Sequence, residues 1–286
     1  MTITSEVDGL SVLVTGGGTG IGAGIASRLA QSGAWITICG RTESTLRPTA
    51  EKINAAVGRE AVRWQLADVT NEVDVERVVR DAGAWRDGLD GLVANAGGGG
   101  PLAPLHLQDV AEFERLLRLN VVGTMLLAKH AIPVFARAGT GSFVAISSIA
   151  GQVTHPYFGA YTASKAAVEA LVRNAADEYG EAGIRFNAVR PGLTLTDSMA
   201  FLGPGSPVYD SYADNTPLGG ACDVDDVAQL VSFLLSSRAS RITGEVMNVD
   251  GGQALRRGPD WSTKVEPSIG GRDVALGRLT KAVTSL

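Results

Sequence analysis

The chain has 286 residues, 45% hydrophobic and 19% charged, enough to bury a large core and too apolar for wholesale disorder. A formal net charge of −5 builds no surface for a polyanion, so no nucleic-acid partner is expected. Cys39 and Cys222 read as two free thiols in a reducing compartment; the acidic start has no signal sequence and no stretch approaches a membrane span, so a cytoplasmic protein without a membrane partner is expected.

The first apolar, β-branched run at residues 11–15 predicts a buried strand. A glycine cluster follows, then helical spacing over 21–32 that stops at Gly33. Residues 34–39 predict the second strand. Thr42 is a plausible N-cap for a helix to about Val57, with Pro48 inside it. Further strands are predicted at 61–67, 89–94, 142–147, 184–190 and 245–249. The helices between them fall at 71–85, 107–138 (interrupted late by Pro133), 159–182 and 224–236. This alternation predicts an α/β fold: a doubly wound, Rossmann-type parallel sheet of seven strands flanked by helices on both faces, one domain over 1–286 with its core at about 10–252. Two segments break the rhythm. Residues 195–220 contain Met199, Phe201, Leu202, Tyr209 and Tyr212 and read either as a substrate lid or as a surface excursion. The C-terminal extension, 253–286, is polar, without clear periodicity, and reads as loose or as packing on a neighbouring subunit.

The first strand runs into Thr15-Gly16-Gly17-Gly18-Thr19-Gly20-Ile21-Gly22 and then a helix. A helix N-terminus presents unpaired N–H groups and partial positive charge to a phosphate, and glycines admit the pyrophosphate closely. The spacing is Gly16-x-x-x-Gly20-x-Gly22; Gly18-x-Gly20-x-x-Ala23 fits G-x-G-x-x-G only loosely. The acidic residue that reads the adenosine ribose is missing after the second strand, where Arg41 stands. Arg41 would attract a 2′-phosphate by charge-assisted hydrogen bonds, which favours NADP(H) and leaves NAD(H) open; the bland alternative is a solvated arginine. Asp68 and Val69, after the third strand, fall where the adenine would lie. Asp68 either accepts from the adenine amino group or caps the next helix.

Tyr161 and Lys165, four apart, share a helix face. Ser148 ends the fifth strand, at the carboxyl edge where open α/β sheets bind ligands. The three histidines have no metal-ligand spacing, so no metal site is expected. His155, between Ser148 and Tyr161, reads either as a substrate contact or as a surface-loop residue.

The turn Thr15 to Gly22, Asn95-Ala96-Gly97, Asn120, Ser147-Ser148, Tyr161-x-x-x-Lys165, Pro191-Gly192 and Asn248-Val-Asp-Gly-Gly252 occur in the order of the short-chain dehydrogenase/reductase family, which the chain resembles over about 10–252. The resemblance implies hydride transfer between NADP(H) or NAD(H) and a ketone/secondary-alcohol pair. It implies Tyr161 as general acid/base, and Lys165 lowering its pKa and holding the nicotinamide ribose. It implies Ser148 as donor to the substrate oxygen, and Asn120 holding a water of a proton relay. Gly16, Gly18, Thr19, Gly20, Ile21, Gly22, Asn95, Ala96, Gly97, Pro191, Gly192, Thr194 and Thr196 would contact the nucleotide. Ser147 is the alternative working serine. Thr19 stands where NADP-preferring members often carry a basic residue, which counts against the Arg41 reading. The resemblance also implies a homo-oligomer, typically a tetramer built on the long helices around Asn120 and Tyr161, otherwise a dimer. Val153, Tyr157, Phe158 and the lid candidate suggest an apolar-leaning pocket for acyl, alicyclic or steroid-like substrates. Two alternatives use the same fold: a catalytically silent nucleotide-binding regulator, and an isomerase or dehydratase that uses Tyr161 as its base.

Overall fold

In a computed structural model of the chain, the structure describes residues 7–86, 88–196, 199, 202–256, 258 and 260–279. Seven parallel strands form one sheet in the order β3-β2-β1-β4-β5-β6-β7. They are β1 (Ser11–Thr15), β2 (Trp35–Gly40), β3 (Val62–Leu66), β4 (Gly91–Ala94), β5 (Gly141–Ile146), β6 (Ile184–Pro191) and β7 (Val246–Val249). The central strands β1, β4 and β5 are buried along their whole length, as expected for a sheet covered on both faces. α1 (Gly20–Gln31), α2 (Glu43–Val57) and α8 (Val224–Leu235) cover one face, and α3 (Glu72–Trp85), α5 (Gly123–Ala138) and α6 (Gly159–Tyr179) the other. β1 to β3 run outward in one direction, and the chain then returns to lay β4 beside β1 on the other side. The crevice at the carboxyl ends of β1 and β4 is therefore the topological switch point, where such sheets take their ligands.

Local chemistry sets the element ends that matter. Asn71 caps α3 by accepting from Val73 N and Asp74 N, and Asp223 with Asp226 forms a capping box at α8. Pro48 lies within α2, which continues through it.

Three expectations change. The helix expected over 107–138 is not interrupted at Pro133, which sits inside α5. Burial of Leu126, Leu127, Ala131 and Phe135 on the sheet holds that helix through the lost backbone bond. The break comes earlier, at a π-helical turn, Arg118–Val122, between α4 (Val110–Leu117) and α5. The whole run Val110–Ala138 is long and apolar enough to cross a membrane, contrary to the sequence reading. In this structure one face of the run packs on the sheet through Leu116, Asn120 and the α5 residues just named.

The third change concerns the tail. It folds back on its own chain through α9 (Ser262–Ile269) and α10 (Arg272–Ala275). Trp261, Val265 and Ile269 join Leu193, Leu202, Val208 and Tyr212 in a separate apolar cluster. Tyr212 and Val208 lie on α7 (Pro207–Asp214), inside the segment read as a lid. The two segments that broke the rhythm thus pack on each other; Phe201 lies outside the described residues.

Candidate active site

The glycine turn is shaped by backbone crowding. A Cβ at Gly22 would stand 2.3 Å from Gly16 O, one at Gly17 would stand 2.6 Å from Ile38 side-chain atoms, and Gly16 has φ +65. Asn95 ties the turn to β4, donating from Nδ2 to Thr15 O at 2.9 Å and Gly16 O at 3.3 Å. The Thr15 hydroxyl accepts from the backbone N–H groups of Asn95 and Ala96. A tight turn opening on the N-terminus of α1 results, a cradle whose surface is backbone and fits a pyrophosphate. Thr19 takes the N-cap position without a side-chain cap bond. Thr196 approaches from the loop after β6, its Cγ2 3.3 Å from where a Gly20 Cβ would lie.

Two hollows meet at this turn. The smaller, about 190 Å³, is walled by Gly18, Thr19, Arg41, Thr45, Asp68 and Val69. Arg41 is exposed there. Asp68 Oδ1 accepts from Thr70 N at 2.9 Å and Thr70 Oγ1 at 2.8 Å. The cap of the following helix is Asn71, so the capping alternative for Asp68 is corrected. The larger hollow is a cleft of about 680 Å³ along the carboxyl ends of β1, β4, β5 and β6. Gly16, Thr19, Gly20, Ile21, Asn95, Ala96 and Gly97 wall its nucleotide end, with Pro191, Gly192, Thr194 and Thr196 opposite. Gly18, Arg41, Asp68 and Val69 belong to the smaller hollow alone; Gly22 holds the shape of the turn from beneath.

Ser148, Tyr161 and Lys165 meet at the floor of the large cleft. Ser148 is placed by the end of β5, and its Oγ accepts from Ala150 N at 3.2 Å. Burial pushes the Tyr161 phenol above its ordinary value, partly offset by a hydrogen bond with Ser148. Lys165 sits one helical turn on, its Nζ 5.6 Å from the Tyr161 ring centre and donating to Ile146 O at 2.7 Å. Burial lowers its pKa from 10.5 to about 8, while the Glu169 carboxylate pulls the other way. In the chain by itself the Lys165 ammonium is engaged by Ile146 O, and burial sets the direction of the Tyr161 shift.

Asn120 lies in the π-helical turn and is 2% exposed. Its Oδ1 accepts from Gly98 N, and its Nδ2 donates to Gly98 O and to Ser164 Oγ, each within 2.9–3.0 Å. The side-chain amide is thereby committed to tying the glycine run 97–100 to α6. Ser147 points away from the chemistry, donating to Glu169 Oε1 at 2.8 Å. Glu169 is 2% exposed and pairs through both oxygens with Arg190, Nε to Oε1 being 2.6 Å. This buried pair lies behind the floor, joining α6 to β6.

The substrate end of the cleft is mostly apolar: Leu102, Ile149, Phe158, Leu193, Met199 and Tyr212, with His155, Trp261 and Lys264. Of the three pocket residues expected from the loop before α6, only Phe158 lines the cleft. Val153 faces a shallow hollow on the other side of the loop, and Tyr157 donates from its hydroxyl to Glu266 Oε1 at 2.9 Å. Trp261 and Lys264 were not anticipated. Their signal was present, because Trp261, Val265 and Ile269 recur every four residues, one face of a helix.

Parallel sheet, glycine cradle and a serine–tyrosine–lysine floor define a nucleotide-dependent oxidoreductase. The family model for enoyl-(acyl carrier protein) reductase matches residues 16–254. A cis-4-hydroxycyclohexanecarboxylate dehydrogenase from Sinomonas cyclohexanicum is 39% identical, covering 84% of this chain and 94% of that protein. A short-chain type dehydrogenase/reductase from Mycobacterium ulcerans superposes with TM-score 0.92 at 44% identity, covering 94% of this chain and 98% of that one. A 3-ketoacyl-(acyl-carrier-protein) reductase from Brucella melitensis, solved with NADH, superposes with TM-score 0.80 at 30% identity, covering 87% and 99%. The chain belongs to the short-chain dehydrogenase/reductase family, and is an NAD(P)(H)-dependent enzyme acting on alcohol/ketone pairs.

Proposed function

We propose that the enzyme interconverts an alicyclic secondary alcohol and its ketone with NADP(H) as the preferred nucleotide. The observation that carries the chemistry is the convergence of Ser148, Tyr161 and Lys165 on the cleft floor beside the glycine cradle. The nicotinamide, when bound, takes or gives the hydride, and its oxidised form adds a positive charge that favours the Tyr161 phenolate. The chain's own groups do the rest. Ser148 donates to the substrate oxygen where negative charge develops. Tyr161 takes the hydroxyl proton in oxidation and returns it in reduction. Lys165, with its pKa near 8, is largely charged at neutrality, holds the nicotinamide ribose and supports the phenolate electrostatically. Asn120 positions this floor through Gly98 and Ser164, with its carbonyl accepting from Thr124 Oγ1, and beside it a water would link Lys165 to solvent as the proton relay.

Gly16 to Gly22 and Asn95 to Gly97 cradle the pyrophosphate and ribose, Asp68 and Val69 border the adenine, and Pro191, Gly192, Thr194 and Thr196 embrace the nicotinamide end. Arg41, exposed at the smaller hollow without an acidic neighbour on β2, supports NADP(H). The apolar wall around Phe158, Leu193 and Met199 and the cyclohexane substrate in the name of the Sinomonas relative support an alicyclic substrate. The chain acts as one domain with residues 195–220 as its lid. The enzyme works as a homotetramer in the cytoplasm; an apolar hollow between α5 and α6, walled by Met125, Ile132, Leu171 and Ala175, supports the self-association.

Tyr161→Phe tests the chemistry. Turnover of cyclohexanol should fall about 10²–10⁴-fold while NADPH still binds in a fluorescence titration. Unchanged turnover would remove Tyr161 from its role.

A further inference from the structure

The wall of the cleft facing Tyr161 carries two polar groups that the hydride transfer does not use. We propose that His155 and Tyr212 form a second polar subsite, which takes a hydroxyl group of the substrate remote from the reacting carbon. The inference rests on the alicyclic-alcohol reading above and names the functional group that reading leaves open.

His155 Nδ1 lies 2.8 Å from Val153 O. A carbonyl can only accept, so Nδ1 carries the proton and Nε2 is left with a bare lone pair. Burial holds the imidazole below its ordinary pKa, in its neutral form at pH 7. Among the described residues Nε2 has no hydrogen-bond partner, and it is not enclosed. The ring stands in the cleft wall against Phe158 and Tyr212, with centroids 6.0 and 6.4 Å away. It therefore offers the cleft an acceptor and nothing else.

Tyr212 offers the opposite. Burial pushes the pKa of its hydroxyl well up, so it is a neutral phenol. The Trp261 indole N–H, sealed from the cleft, lies against the oxygen of that hydroxyl and lowers its pKa in part. An indole N–H can only donate, so it occupies the phenol oxygen from behind and leaves the phenol proton to face the cleft as a donor. Phe158 spaces the group from the chemistry, with its ring 5.9 Å from Tyr161 and 5.0 Å from Trp261.

An acceptor at His155 beside a donor at Tyr212 selects a ligand atom that both donates and accepts. A hydroxyl does so. A carboxylate or ketone oxygen satisfies Tyr212 but sets its own lone pairs against Nε2 of His155, and for a carboxylate this opposes the attraction of Lys264 in the same wall. The subsite thus fits a diol or hydroxyketone and disfavours the carboxylate borne by the Sinomonas enzyme's substrate. Sites built to bond a substrate hydroxyl discriminate strongly against analogues that lack it, because their own polar groups are then left unpaired.

The test is kcat/KM for cis-cyclohexane-1,4-diol, cyclohexanol and cis-4-hydroxycyclohexanecarboxylate, using the full chain, His155→Phe, His155→Gln and Tyr212→Phe. The diol should exceed both other alcohols by about tenfold or more. That ratio should fall toward one in His155→Phe, recover in His155→Gln, which restores an acceptor, and fall partway in Tyr212→Phe. Diol and cyclohexanol turned over equally, a carboxylate preference, or a ratio indifferent to His155→Phe each overturns the subsite while the alicyclic reading stands. If none of the three is oxidised, the alicyclic reading fails, and the ¹⁵N resonance of His155 Nε2 decides the subsite separately. An upfield move with the diol but not with cyclohexanol supports it, and no move overturns it.

Discussion

The two ends of the cleft are built on different principles. At the nucleotide end the surface is backbone: Gly16 and Gly17 turn where no side chain fits, and Asn95 and Thr15 exist to hold that turn against β4. At the substrate end the surface is side chains from the loop before α6, from α7 and from the tail, brought together by one apolar cluster that is separate from the two cores covering the sheet. Backbone geometry tolerates little change and serves one ligand. A wall assembled from excursions can be exchanged without disturbing the cradle. The residues that wall the substrate end thus come largely from segments that contribute no strand to the sheet.

Perturbations at the seam and at each end sharpen this contrast. The largest effect is expected where both ends rest on one element. Glu169→Ala strands Arg190 as a buried, unpaired cation behind the floor and should cost about 3–5 kcal/mol in denaturant unfolding. A loss below about 1 kcal/mol would show that the pair is relaxed by solvent. Deleting residues 253–286 removes Trp261 and Lys264 from the wall and should lower kcat/KM for cyclohexanol about 10²-fold through substrate misplacement. NADPH affinity should stay within about twofold, as for distant independent sites; a parallel loss of nucleotide binding would erase the separation between the ends. Arg41→Ala tests the proposed choice of NADP(H) at the nucleotide end. NADPH affinity should drop about ten- to a hundredfold, as charge-assisted bonds are lost, with NADH affected less.

The last effect is a slope with pH. Lys165 has a folded pKa near 8 against an ordinary 10.5. Between those values the unfolded chain binds a proton that the folded chain has released, so stability rises with pH across that window. The unfolding free energy of the natural chain relative to Lys165→Met should therefore increase from pH 8 to pH 10, and a flat difference would mean that Lys165 keeps its proton when buried.

The same division explains what could be read from sequence. Glycines at residues 16, 20 and 22, the run Asn95 to Gly97 and the Tyr161–Lys165 spacing are contiguous, and a contiguous constraint is visible in one dimension. All seven strands were placed within about two residues for that reason, because each is a short apolar run between turn residues. Ser147 and Ser148 were separable only by their surroundings: the first is drawn to Glu169, which lies 22 positions away. The π-helical turn at Asn120 left no pattern, since its cause is a set of bonds to Gly98 and Ser164. Pro133 was misread because burial of one helix face outweighed the loss of a single backbone bond. The tail was hidden for another reason. Its repeat at Trp261, Val265 and Ile269 is short and set among polar residues, and its partners Leu193 and Tyr212 lie about 50–70 positions earlier.

That tail also separates what the sheet needs from what the cleft needs. All seven strands precede Trp261 in the chain, and none of them pairs with the residues that follow it. The wall facing Tyr161 is thus closed by a segment outside the sheet, where the final helices rest on Phe158. Insertions or replacements there reshape the wall and leave every strand pairing as it is.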